Sequence, residues 1–235
     1  MTLKSIFMLL VSALLPLVIL MVSVRAVMSE TFLRWEYQRA GFPEDRYGWD
    51  TSVRLEYGPY GIRYLLQDKD ISYLADLRID GEPAFRQKEL DHMEDVHVVT
   101  RGIFTVLNAA TVVFALALAG VGWRRSSWAD VWRALLRGGI FSLGVMGGLL
   151  IVAVVAWDFF FETFHQLFFE DGTWQFYRND TLIRLYPPQF WFDAALAVGL
   201  LTLGGALAFV GGPWLALNRT RQQPDPPPHT VSEAL

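Results

Sequence analysis

Two histidines with acidic neighbours are the residues of this sequence best suited to chemistry. His92 lies in the stretch ELDHMED, and His165 lies in the stretch DFFFETFHQLFF. The carboxylates at helical spacing from one or the other are Glu89, Asp95, Asp158 and Glu162. Residues three, four or seven apart share one face of a helix, so each carboxylate can orient an imidazole and raise its basicity. This pattern indicates general acid–base catalysis.

Other functions remain open for the same side chains. His92, His165 and one carboxylate form a possible His₂-carboxylate zinc set, which would make the protein a metal-dependent lipid hydrolase. No HExxH helix supports that hypothesis, and no G-x-S-x-G stretch indicates a serine nucleophile. The sequence has 0 cysteines, which excludes thiolate chemistry and disulfides. In a third interpretation the histidines only join parts of a non-catalytic lipid-binding or assembly protein.

The apolar residues, 53% of the 235, are concentrated in four long runs. A helix needs roughly 20 apolar residues to cross a bilayer. We therefore predict an α-helical integral membrane protein whose transmembrane helices cover residues 1–28, 99–123, 138–160 and 190–215. The first run is longer than the roughly 7–15 apolar residues of a cleaved signal peptide, so we expect an uncleaved anchor.

The distribution of arginine predicts the orientation. Arginines are frequent in residues 124–137, and two more follow the last span, at Arg219 and Arg221. Short segments rich in Lys and Arg remain cytoplasmic. We therefore expect both termini in the cytoplasm, a Pro-rich disordered cytoplasmic tail over residues 216–235, and extracytoplasmic segments over residues 29–98 and 161–189.

Residues 29–98 are too long for a plain loop and predict a small mixed α/β cap. In SVRLEYGPYGIRYLLQ, a Gly-Pro pair separates two runs with strand-like alternation. A helix is predicted from about Pro83 into the second span. His92 then lies just before that span and His165 just after the third, so the two histidines are expected at a similar depth. His97, five residues after His92, points elsewhere on the helix.

Several motifs together resemble the DUF1461 family of integral membrane proteins. The motifs are ELDHMEDV before the second span, FHQLFF after the third, TLIRLYPPQFW before the fourth, and YGW at 47–49. The resemblance covers residues 5–217 and implies four membrane helices under an extracytoplasmic cap, in a bacterial cytoplasmic membrane. The family includes transacylases of diacylated lipoproteins. In them the sn-2 acyl chain moves to the α-amino group of the N-terminal cysteine, which gives a lyso-form lipoprotein.

The resemblance implies that His92 and His165 are catalytic. We predict that His165 is the general base, oriented by a nearby carboxylate, and that His92 stabilises the oxyanion or protonates the leaving oxygen; the reverse assignment remains open. Candidate substrate-binding residues are the aromatic Tyr47, Phe164, Phe168 and Trp174 and the basic Arg54, Arg178 and Arg184. Surface salt bridges are the alternative role for the arginines. Diacylated lipoproteins and membrane lipids are the expected partners, with no cofactor, metal or nucleic acid.

Overall fold

The structure is a computed structural model that describes residues 2–123 and 128–221, with side chains as far as residue 219. In these residues the chain forms helices and one two-stranded antiparallel hairpin. The elements in chain order are α1 (Leu3–Val27), α2 (Glu30–Gln38), α3 (Thr51–Leu66), α4 (Ser72–Ala75), β1 (Arg78–Ile79), β2 (Glu82–Pro83), α5 (Gln87–Gly122), α6 (Trp128–Val155), α7 (Trp157–Phe168), α8 (Thr181–Leu185) and α9 (Pro188–Arg221).

Four of these helices, α1, α5, α6 and α9, are long and apolar enough to cross a membrane. They pack as a bundle in which α1 contacts the other three, and α6 packs most extensively on α9. Only a minority of the side chains in their apolar segments are buried within the protein, as expected where lipid is the solvent. The described chain is thus mostly helical, as predicted, with four candidate membrane-spanning helices.

Glycine allows the bundle helices to approach closely. A methyl group at Gly139 of α6 would lie 2.9 Å from the main chain of Phe209 in α9. A methyl group at Gly138 would lie 3.1 Å from the Cα of Ser12 in α1. The Ser12 hydroxyl also donates a hydrogen bond to the carbonyl of Ala134 in α6, at 2.9 Å. Small residues at these crossings permit the main-chain contacts that stabilise helix packing in a bilayer.

Three helix ends, two of α6 and one of α9, differ from the predicted boundaries. Residues 128–137, predicted as loop, are the first turns of α6, and α6 ends before residue 160. The chain leaves the helical conformation at Ala156, with φ −133° and ψ 56°, and α7 then begins as a separate helix. The helix α9 continues through residues 216–221, and the rest of the predicted tail, residues 222–235, lies outside the described residues.

One end of the bundle carries a cap built from residues 30–86 and 170–187. Its hydrophobic core is formed by buried side chains from both segments and from the first turns of α5 and α9, including Leu33, Tyr37, Leu74, Leu90, Leu185 and Phe190. The prediction of strands in residues 51–66 is wrong, because this stretch is the helix α3. The described strands of the cap are limited to the two-residue β1 and β2.

Tertiary contacts explain why the Gly-Pro stretch is helical. The glycines of α3 allow two tyrosine rings to lie directly against its main chain: Tyr37 at Gly58, and Tyr186 at Gly61. The Tyr186 hydroxyl donates a hydrogen bond of 2.5 Å to the carbonyl of Gly58. Burial of these rings therefore outweighs the weak helix propensity of glycine.

We predict that Gly61→Ala destabilises the cap. The added methyl group would overlap the buried hydroxyl of Tyr186, and such overpacking costs about 1–3 kcal/mol in the free energy of unfolding. The thermal unfolding midpoint in detergent should fall. Gly148→Ala is the matched control, because its methyl group would meet no atom within 4 Å; an equal fall in both variants would contradict the contact.

Candidate active site

His92 and His165 come from different helices and contact the same aromatic ring. His92 lies in the second turn of α5, and His165 lies in the last turn of α7. The ring centroid of Phe169, directly after α7, is 5.0 Å from that of His92 and 5.8 Å from that of His165. The two helices therefore bring both imidazoles to one site.

Aromatic rings surround both imidazoles. The His165 ring lies 4.1 Å from the Phe161 ring and 4.8 Å from the Trp174 ring, between centroids. The His92 ring lies 5.3 Å from the ring of Phe176. Both histidines are partly buried. A site enclosed in this way has little water near the reacting groups.

A main-chain hydrogen bond selects one tautomer of His165. Its Nδ1 is 2.7 Å from the carbonyl oxygen of Phe161. A carbonyl oxygen can only accept, so Nδ1 carries the proton and Nε2 of the neutral ring is unprotonated. An unprotonated Nε2 is the atom with which a histidine acts as a general base.

Two other nitrogen atoms at the site are buried. Nδ1 of His92 and Nε1 of Trp174 have no hydrogen-bond partner among the described residues. The indole nitrogen is always a donor, and a buried donor without a partner costs about 1–3 kcal/mol. The site thus has hydrogen-bonding capacity that an oxygen atom of a bound molecule can use.

Burial also determines the protonation of His165, which lies outside the four candidate spans. Removal of the ring from water lowers its pKa below the usual 6.5, and the hydrogen bond with Phe161 opposes this only in part. The neutral ring is therefore the dominant form at pH 7.

Glu89, predicted to orient His92, is instead a structural carboxylate. Its side chain is 1% exposed. It accepts hydrogen bonds from the main-chain N–H groups of Arg86, at 2.9 Å, and Leu182, at 2.7 Å. These contacts cap α5 and hold the first turn of α8 against it.

Among the described residues, the other predicted carboxylates form no hydrogen bond with either imidazole. Glu162 is exposed and accepts a hydrogen bond from Gln166 at 3.2 Å, and Asp95 and Asp158 are exposed. The ring of His165 is oriented by a main-chain carbonyl in the preceding turn of α7 rather than by a carboxylate. Helical spacing predicted a shared face, but these carboxylates are exposed, and a charged group that remains exposed avoids the cost of burial.

The predicted aromatic residues occupy different positions. Trp174 covers His165, and Phe164 and Phe168 extend along the exposed face of α7 with their ring centroids 5.1 Å apart. Phe164 and Phe168 are 45% and 36% exposed, so they present an apolar surface next to the histidines. Tyr47 is 52% exposed in the cap, and Arg178 is also exposed.

The other two predicted arginines have partners within the cap. Arg54 is 4% exposed and donates to the carbonyls of Arg184, at 2.8 Å, and Pro43, at 2.6 Å. Arg184 pairs with Asp45 at 2.8 Å and stacks on the Trp49 ring at 3.4 Å. The structure therefore gives both guanidinium groups a role in folding instead of the predicted contact with substrate.

The zinc hypothesis lacks a ligand set. Among residues 2–123 and 128–219, no three His, Asp or Glu side chains are close enough to hold a metal ion. Two of the carboxylates that could have completed the set, Glu89 and Glu162, form hydrogen bonds with other groups.

Phe169 and Phe176 belong to the site but were not predicted. Phe169 follows His165 by four residues at the end of FHQLFF, and helical spacing could have identified it. Phe176 lies in the irregular stretch between α7 and α8, where no periodicity indicates which way a side chain points.

Four membrane-length helices, a cap at one end and two histidines enclosed by aromatic rings define a polytopic membrane protein with a candidate acid–base site. The family described as lipoprotein intramolecular transacylase Lit matches residues 9–191. The chain belongs to this family, whose members are transacylases.

Individual relatives agree with this assignment. An uncharacterized protein of Aquifex aeolicus (strain VF5) is 34% identical over 199 residues, which cover 84% of this chain and 88% of the relative. The structure of the lipoprotein intramolecular transacylase Lit from Bacillus cereus is similar, with a TM-score of 0.77 and 19% identity over 94% of this chain and 98% of that one. The structure of a variant of that protein, in which one histidine is replaced by alanine, has a TM-score of 0.72 and covers 94% of this chain and 96% of that one. At this identity the likeness shows the fold.

We predict that His165 titrates below pH 6.5, because burial disfavours the charged ring. Nitrogen-15 NMR of the imidazoles would measure the midpoint. Trp174→Ala should move the midpoint upward, since it uncovers the ring. A midpoint above 6.5 in the unaltered protein would mean that a carboxylate, rather than burial, controls this histidine.

Proposed function

We propose that this protein transfers an acyl chain within a bacterial diacylated lipoprotein. The sn-2 chain of the diacylglyceryl group would move to the α-amino group of the N-terminal cysteine, giving the lyso-form. Membership in a transacylase family supports the reaction type. The residues in contact support the chemistry, and in this proposal His165 is the general base.

The single observation that carries this proposal is the arrangement of the nitrogen atoms. Nε2 of His165 is the unprotonated atom of its ring, because Nδ1 is bonded to Phe161. Nδ1 of His92 and Nε1 of Trp174 are buried and have no partner among the described residues. Acyl transfer requires a base for the attacking amine and donors for the oxyanion.

In the first step the α-amino nitrogen attacks the carbonyl carbon of the sn-2 ester. A C–N bond forms, and the carbonyl oxygen becomes an oxyanion. Nε2 of His165 takes a proton from the attacking nitrogen, and N–H groups of His92 and Trp174 donate hydrogen bonds to the oxyanion. Since amine and ester belong to one molecule, correct positioning lowers the barrier without a covalent enzyme intermediate.

In the second step the oxyanion re-forms a carbonyl and the bond to the glyceryl oxygen breaks. The departing alkoxide takes a proton from the imidazolium of His165 or through His92, which leaves a free hydroxyl group on the glyceryl carbon. The amide replaces the ester, and no oxidant, metal or water is consumed. Water would hydrolyse the ester, so the aromatic enclosure of both histidines favours transfer over hydrolysis.

The orientation proposed with this function places the cap and the histidines on the outer face of the bacterial cytoplasmic membrane. Arg133 lies in the second turn of α6 and Arg219 lies in the last turn of α9, at the ends of these helices that are remote from the cap, and short arginine-rich segments remain cytoplasmic. A lipoprotein whose N-terminal cysteine is anchored in the outer leaflet would then present its amine and ester beside α7.

The proposed reaction is tested by mass spectrometry of the N-terminal lipopeptide of a lipoprotein. The protein is expressed in a host that makes diacylated lipoproteins, beside His92→Ala and His165→Ala. We expect an amide-linked acyl chain and a free glyceryl hydroxyl with the unaltered protein, and a loss of at least about 10²-fold in either variant, the usual contribution of an acid–base group.

His97→Gln is the matched control, because His97 is buried against Tyr64, at 4.7 Å, on another face of the same helix. It should retain activity. Full activity in both His→Ala variants would exclude histidine catalysis. An unchanged lipopeptide in all samples, with the protein present in the membrane, would favour the lipid-binding or assembly alternative.

We predict that Trp174→Phe lowers kcat more than it changes KM. Phenylalanine keeps the ring that covers His165 but removes the N–H, and loss of one oxyanion donor lowers kcat by about 10²–10³-fold. Steady-state kinetics with a synthetic diacylated lipopeptide would separate kcat from KM. If KM alone rises, Trp174 serves only to pack the substrate.

A further inference from the structure

An apolar groove of about 370 Å³ lies between α5 and the end of α7. It is lined by Val99, Gly102, Ile103, Val106, Leu107 and Phe168. All six are apolar, and five of them belong to the part of α5 that is apolar enough to lie in a membrane. A groove of this kind suits a hydrocarbon and offers no hydrogen bonds from side chains.

Both walls of the groove are formed by residues that lie near the histidine site along their helices. On α5, Val99 follows His92 by seven residues, so the two side chains share one face, about two turns apart. On α7, the Phe168 ring packs 5.1 Å from the ring of Phe164, which lies 5.6 Å from the ring of His165. A chain that occupies the groove and extends along these two faces would have its polar end beside the imidazoles.

The dimensions of the groove match one leaflet of a membrane. At 1.5 Å per residue, the distance along α5 from Val99 to Leu107 is about 12 Å. One leaflet contributes about 15 Å of hydrocarbon to a bilayer. An acyl chain extended along α5 from a hydrocarbon boundary at the level of Val99 would thus run most of the way to the bilayer midplane.

Gly102 leaves the middle of this groove open. A methyl group on Gly102 would meet no atom within 4 Å, whereas one on Gly138 or Gly139 would meet a neighbouring helix at about 3 Å. Helix packing therefore does not require glycine at residue 102. A large side chain there would project into the groove and occupy part of its volume.

We propose that this groove binds the acyl chain that is transferred, and that the small size of Gly102 determines how long a chain fits. The inference rests on the proposed function, since it places the ester carbonyl of that chain at His165 and His92. The chain then descends along α5, with Phe168 closing the groove on the side of α7.

The test compares Gly102→Leu with Gly148→Leu on two synthetic lipopeptides, one with a palmitoyl and one with a butanoyl group at sn-2. Gly148 is an exposed glycine of α6 with nothing within 4 Å of its added methyl position, so it is a matched control. Gly102→Leu should lower kcat/KM for the palmitoyl substrate by at least about tenfold, as expected for bulk added to an apolar pocket. It should leave the butanoyl substrate nearly unchanged, and Gly148→Leu should affect neither.

A second measurement does not depend on turnover. A lipopeptide with a diazirine near the end of its sn-2 chain is photo-crosslinked to the purified protein, and the label is mapped by mass spectrometry. We expect label within residues 99–107 of the unaltered protein, at least about tenfold less in Gly102→Leu, and no competition by excess phosphatidylglycerol.

The outcomes separate the two proposals. Two results would contradict binding of the acyl chain in the groove and leave the proposed function intact. The first is equal turnover by Gly102→Leu and Gly148→Leu. The second is an equal loss of turnover for both chain lengths in folded Gly102→Leu. Absence of turnover by the unaltered protein would overturn the proposed function, and the crosslink alone would then decide whether the groove binds this chain. Label displaced by phosphatidylglycerol would mean that ordinary membrane lipid occupies the groove.

Discussion

The buried carboxylate of Glu89 is the contact on which the site depends. It accepts from the main chain of Arg86 at the start of α5 and from Leu182 in α8, and its side chain is almost wholly inside the protein. It thereby joins the helix that carries His92 to α8, which directly follows the irregular segment that carries Trp174. Charge-assisted hydrogen bonds are among the stronger ones in proteins, and loss of one partner leaves the other buried and unsatisfied. The aromatic enclosure of the imidazoles is built on this connection.

A second constraint is the continuity of α5. Its 36 residues extend for about 54 Å, well beyond the roughly 30 Å of bilayer hydrocarbon. One unbroken helix thus begins in the cap, carries His92 and continues through the membrane. The third span is arranged differently, because α6 ends at Val155 and α7 continues in a new direction after Ala156. This break allows His165 to approach α5 instead of following α6 away from it.

The sequence predicts the four long helices well because a helix that crosses lipid must be apolar over roughly 20 residues. The apolar run that forms α1 is an example. The sequence also identifies both histidines, because an ionisable side chain is conspicuous in a sequence of mainly apolar residues. It fails for α3, where the buried rings of Tyr37 and Tyr186 override local propensity. It also misassigns Arg54, because an arginine buried on main-chain carbonyls has the same sequence appearance as one that binds a ligand. Contacts between distant segments are not encoded in local patterns.

None of the side chains of α7 is buried, although this helix carries His165. Leu167 and Phe159, at 74% and 65% exposed, face away from the protein. In a membrane those faces are covered by hydrocarbon, so lipid completes the packing that holds the helix in place. The bilayer is therefore part of the environment of the helix that carries His165, and exchange of lipid for detergent changes what covers these two side chains.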